Sequence, residues 1–189
     1  LWLLARRLRR AGFQTFRFSY PSVRRDLRAN AAQLHEFLAR VPGATVHLVG
    51  YSLGGLVIRA LFRFHPGQRP GRVLLLGSPQ QGSRAAAALS AVGFGRRLAG
   101  RSLADLNAGI PQAWDWPARE IGAIAGNLPL GLGRLVSLLS GPNDGTVLVA
   151  EAVPAAARER LVLHVSHAGL LFMPVVARQA AAFLGRGRF

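Results

Sequence analysis

The stretch from Thr45 to Phe64 constrains this chain more than any other. Thr45–Val49 is a short apolar run carrying one histidine, as expected of a buried parallel strand. Ser52–Phe64 is apolar nearly all round, broken only by Arg59 and Arg63, which suits a helix packed deep against a sheet. Between them stands Gly50-Tyr51-Ser52-Leu53-Gly54, a glycine–x–serine–x–glycine turn. So tight a strand-to-helix turn brings two backbones close together. Side chains at positions 50 and 54 are expected to collide there, and both positions are glycine. The Ser52 hydroxyl would stand clear of the turn. It also lies at a helix N-terminus, whose free N–H groups and dipole favour developing negative charge. The Leu53 N–H is the expected donor to an oxyanion. The plainer alternative is a glycine-rich connection whose serine only caps the helix.

The surrounding chain supports a parallel sheet. Phe13–Tyr20 is aromatic and alternating and stops at Pro21, which predicts a strand. Asp26–Arg40 predicts an amphipathic helix through Leu27, Leu34, Phe37 and Leu38. Arg72–Leu76, Glu120–Ala125 and Leu161–Val165 predict three more buried strands, and Leu170–Leu184 a last helix. Strands alternating with helices imply an α/β fold, a mostly parallel sheet with helices on both faces. The length, 189 residues, suits one domain spanning 1–189. Residues 82–117 do not fit the alternation. Rich in Ala, Gly and Arg, with Trp114 and Trp116 close together, they read as a helical excursion and a possible lid, or as an ordinary helix with a long loop.

The first helical stretch, Leu1–Gly12, has no preceding cap, and it suggests a chain that continues upstream. The 24 basic residues, all arginine, face only 8 acidic ones, for a net charge of +16. Such a charge invites nucleic acid or anionic membrane as a partner. The arginines are spread along the chain without a nucleic-acid motif, so no nucleic acid is expected, while contact with a membrane surface stays open. The chain has no cysteine, hence no disulfide, no thiolate metal site and no thiol nucleophile.

A serine hydroxyl needs a base, and the base needs an orienting group. Of five histidines, His35, His47, His65 and His164 fall within or directly after predicted helices and strands and read as structural. His167 follows the strand at 161–165 in a short loop, where ligand chemistry gathers on open α/β sheets. Among the carboxylates, Glu120 lies at the wrong end of its strand. Asp144 sits in the compact turn Gly141-Pro142-Asn143-Asp144-Gly145, and Glu151 is the second choice.

These segments together resemble the α/β-hydrolase superfamily, and within it the bacterial esterase/lipase-like group. The resemblance is carried by Val46–Val57 around the serine turn, Asn143-Asp144-Gly145-Thr146-Val147, Ser166-His167-Ala168-Gly169-Leu170 and Leu76-Gly77-Ser78-Pro79-Gln80-Gln81-Gly82-Ser83. It covers residue 13 to the end. It implies a serine hydrolase cleaving carboxylic esters, with Ser52 as nucleophile, His167 as base, Asp144 as its orienting acid and Leu53 at the oxyanion hole. Tyr51, Ser78 and Gln80 would sit at the rim of the site. A His-Gly-type loop that supplies a second oxyanion donor in such proteins would lie upstream of residue 1. No metal and no organic cofactor is implied, and the substrate would be a small-molecule or lipid ester. An acyltransferase using the same triad is the first alternative. A basic binding module without catalysis is the second.

Overall fold

The computed structural model describes residues 1–22, 24–83, 102, 105, 108, 114–130 and 140–189. The predicted 82–117 excursion therefore lies largely outside the described residues. Four strands form one sheet in the order β1 (Leu48–Tyr51), β2 (Val73–Leu76), β3 (Ile121–Gly126) and β4 (Glu159–Leu163), each parallel to the next. All four C-terminal ends thus meet at one edge of the sheet, where the connecting loops converge.

Helices cover both faces, as the sequence pattern implies. On β2, Val73 and Leu75 point to one face, while Leu74 and Leu76 point to the other. The first face packs against α2 (Leu27–Ala39) and α3 (Leu53–Phe64) through Leu27, Leu34, Leu56 and Leu61. The second packs against α1 (Trp2–Arg10) and the C-terminal helix through Leu4, Leu8, Val176 and Phe183. The start of α2 is fixed twice. Asp26 Oδ1 accepts from Ala29 N at 2.7 Å, and Asp105 Oδ2 accepts from Leu27 N at 2.9 Å. A short helix, α4, spans Val149–Ala152.

Four expectations change. Phe13–Tyr20 is not a strand. Alternation places aromatic rings but does not supply a hydrogen-bonded neighbour, and Gln14–Ser19 make no backbone–backbone hydrogen bond among the described residues. A cavity of about 540 Å³ separates this segment from β1, lined by Phe13–Phe18 on one side and Val46–Val49 on the other. Strand β1 starts at Leu48 rather than Thr45. Val46 N still donates to Pro70 O at 2.8 Å, but the Arg72 N–H goes to His47 Nδ1 at 2.9 Å instead of continuing the ladder. Strand β4 starts at Glu159 and ends at Leu163, leaving His164 outside it. The last helix is two: α5 (Gly169–Phe172) and α6 (Pro174–Arg186). Pro174 has no N–H to give the preceding turn and pushes Met173 into extended geometry, with ψ at 134°.

Candidate active site

The site is built where β1 runs into α3. Ser52 has φ 51° and ψ −127°, and among the described residues it is the one non-glycine residue with positive φ. A serine is held in so costly a conformation only when its surroundings over-determine it. Its N–H donates to Leu76 O at 2.9 Å, tying the turn to the end of β2. Leu53 opens α3, so its N–H belongs to the first turn, whose donors have no intrahelical acceptor.

The glycines of the turn divide differently from expectation. A Cβ on Gly50 would lie 2.6 Å from Gly55 Cα and 2.7 Å from Gly55 N, so Gly50 is sterically required. A Cβ on Gly54 would meet nothing closer than Tyr20 Oη at 3.7 Å, which is ordinary contact. The second crowded position is Gly55, where a Cβ would lie 2.2 Å from Ser78 Oγ. The glycine that the close packing requires in α3 is thus one position beyond the second glycine of the motif.

Asp144 and His167 are joined. His167 Nδ1 and Asp144 Oδ2 are 2.7 Å apart, and the His167 backbone N–H donates to Asp144 O at 2.8 Å. The Asp144 side chain is 1% exposed. Its other oxygen, Oδ1, accepts from Thr146 N at 2.9 Å and Val147 N at 2.8 Å. The turn and the pairing are therefore one device: the Asx turn fixes the carboxylate with one oxygen and leaves the second for the imidazole. A ring nitrogen bonded to a carboxylate at Nδ1 leaves Nε2 as the free acceptor.

Ser52 and His167 are not hydrogen-bonded to each other among the described contacts. They are brought to the same corner through Tyr51. Its ring lies 4.9 Å from the His167 ring, and its hydroxyl donates to His167 O at 3.3 Å. Burial, with a smaller contribution from the Asp144 charge, pushes the Tyr51 hydroxyl up to about 12. It stays protonated and keeps its donor role.

The expected rim residues and the other carboxylates and histidines weighed for the site are each held by other contacts. Ser78 and Gln80 are enclosed, at 0% and 1% exposure. Gln80 Nε2 donates to Ser78 Oγ at 2.7 Å, and Ser78 packs over Gly55. They support the turn from beneath rather than lining an open rim. Glu151 Oε2 accepts from Leu148 N at 3.1 Å and caps α4. Glu120 pairs with Arg72 and Arg158 at the opposite end of the sheet. His47 bonds the Arg72 N–H, His164 bonds Asn127 Oδ1, and His35 stacks on His65 at 4.4 Å.

Two glycines that sequence reading did not single out shape the site. Gly77 has φ 52°, and a Cβ there would lie 3.0 Å from Asp144 Oδ2 and 3.2 Å from His167 Nδ1. A Cβ on Gly126 would lie 2.8 Å from Asp144 Cβ and 2.3 Å from Val165 O. Gly77 directly follows β2 and Gly126 ends β3, both close against Asp144. A glycine just past an apolar strand run was the available signal in both cases.

No family model matches the chain, and no curated protein matches it in sequence. Solved structures do match. A lipase of Bacillus licheniformis in its mature form superposes with TM-score 0.74 at 24% identity, over 92% of this chain and 83% of that one. In its propeptide form the same lipase matches 92% of this chain but only 45% of its own length. A metagenomic carboxyl esterase matches with TM-score 0.66 at 20% identity, over 76% of this chain and 52% of the other. An alpha/beta hydrolase fold protein from Chitinophaga pinensis matches with TM-score 0.54 at 13% identity, over 88% and 74%. The parallel sheet covered on both faces, the strained serine between β1 and α3, and these superpositions agree on one architecture: the chain has the α/β-hydrolase fold.

Proposed function

We propose that the chain is a serine hydrolase that cleaves carboxylic esters through Ser52, His167 and Asp144. The observation that carries this reading is the Asp144–His167 pair at 2.7 Å, with Tyr51, the residue before the strained Ser52, packed against the His167 ring. The solved structures with the same fold, a lipase and a carboxyl esterase among them, add support.

In this mechanism Ser52 Oγ attacks the ester carbonyl carbon as its proton passes to His167 Nε2. Asp144 Oδ2 holds the imidazole by Nδ1 and stabilises the charge that forms. The carbonyl oxygen becomes an oxyanion facing the Leu53 N–H at the start of α3. When the intermediate collapses, the carbon–oxygen bond to the alcohol breaks and the alcohol leaves with the proton from His167. Water, deprotonated by the same histidine, then releases the acid and restores Ser52.

A fluorophosphonate probe should label the protein at Ser52, and p-nitrophenyl esters of short and medium acids should be hydrolysed. Labelling that persists undiminished in Ser52→Ala would overturn the assignment. Replacing Asp144 with Asn keeps an oxygen for the Thr146 and Val147 N–H groups but takes the acceptor from His167. It should lower kcat by about 10³–10⁴ while leaving the thermal midpoint close to that of the parent. A kcat within tenfold of the parent, about 1.4 kcal/mol, would exclude Asp144 as the orienting acid.

A further inference from the structure

Helices α1 and α6 lie side by side and carry six arginines and not one carboxylate between them. An open groove of about 590 Å³ runs between them. Ala11, Phe13, Ala177 and Ala181 form its floor, and Arg7, Arg10, Arg178 and Arg186 line it. Arg7 is occupied, donating to Phe172 O at 2.5 Å. Arg10, Arg178 and Arg186 make no hydrogen bond and no ion pair among the described residues. Like charges held this close without partners repel one another, and a polyanionic surface would relieve them. Apolar side chains border the groove. Phe172 is 56% and Met173 46% exposed where α5 meets α6, next to the groove-lining Pro174, while Trp2, away from the groove on α1, is 56% exposed with Arg6 over its ring. Phe172 follows His167 by five residues, so this end of the groove adjoins the base's loop.

We propose that this face, α1 with α5 and α6, docks on an anionic phospholipid bilayer. The arginines meet headgroup phosphates, for which the guanidinium fork is well shaped, and Phe172, Met173 and Trp2 enter the headgroup layer. No helix of the described residues is long and apolar enough to cross a membrane, so the contact is peripheral. The proposal concerns binding and stands apart from the esterase reading, since it is measured without any ester being turned over.

The test is co-sedimentation of the protein with vesicles of phosphatidylcholine, with and without phosphatidylglycerol, followed in parallel by tryptophan emission. Binding should require phosphatidylglycerol, shift the emission to the blue and weaken with added salt. Each basic residue near an anionic surface is worth roughly fivefold in partitioning, so Arg10→Glu with Arg178→Glu should lower binding by at least about 25-fold. Phe172→Ser should weaken it with no change of charge. The control is Arg40→Glu with Arg63→Glu, which changes net charge equally at exposed positions on α3 and beside α2. It should retain most of the binding. Equal losses in both double variants would overturn the proposal, because net charge and not this face would then be responsible. No binding to phosphatidylglycerol vesicles, or equal binding to phosphatidylcholine alone, would overturn it as well. So would duplex DNA that displaces the vesicles and loses affinity on the same Arg10 and Arg178 substitutions.

Discussion

Gly50, Gly54 and Gly55 stand within six positions of one another, yet a methyl group at each would meet different surroundings. At Gly50 it would run into the backbone of Gly55, and at Gly55 into Ser78 Oγ, while at Gly54 it has room. Gly50→Ala and Gly55→Ala should each cost about 1–3 kcal/mol or more by overpacking. Gly54→Ala should be neutral or stabilise by up to about 1 kcal/mol, because alanine favours a helical turn. Chemical denaturation of the three variants tests the order, and a Gly54 variant as unstable as the other two would refute it. The tight turn at Ser52 and the segments that pair Asp144 with His167 were legible in the sequence because each is short and has its own chemical signature. Gly55, Gly77 and Gly126 were not. What fixes them is a contact with a residue distant in the chain, and a glycine carries no side chain to hint at its neighbour.

At the scale of elements, a strand was legible where an apolar run also had a partner. Val73–Leu76 and Ile121–Gly126 have partners on both sides and were placed within a residue. Phe13–Tyr20 has the alternation without the ladder, and Glu159–Arg160 has the ladder without the apolar run. Pro174 was a visible stop signal inside an otherwise continuous helical pattern, and the chain obeys it. The edge position of β1 has a measurable signature. Leu48 and Ser52 donate inward to Arg72 O and Leu76 O. Period-two geometry turns the N–H groups of Val49 and Tyr51 outward, toward the side where no strand of the described residues lies. Amide hydrogen exchange should therefore be slow at Leu48 and Gly50 and faster at Val49 and Tyr51. Uniform protection along β1 would contradict an unpaired outer edge.

For the molecule as a whole, acid should be destabilising, and His47 is one identifiable cause. Burial, helped by the Arg72 charge, lowers its pKa below the ordinary histidine value, and its Nδ1 accepts the Arg72 N–H. The unfolded chain then binds a proton more readily than the folded one. Stability is unaffected by His47 above the unfolded pKa near 6.5 and falls as pH drops from there toward the lowered folded value. Replacing His47 with Gln should flatten the thermal midpoint across that window, and an unchanged slope would remove His47 as a cause. The sheet carries a consequence of another kind. Its strands lie in space in the order in which they occur along the chain, and each contributes one piece of the site at its end. Tyr51 and His167, which touch, are 116 positions apart. During synthesis at roughly 5–20 residues per second, the Ser52 turn leaves the ribosome several seconds before His167 is made. For that interval Ser52 stands without its proposed base, so on the proposed mechanism the growing chain is chemically silent until the loop after β4 has docked.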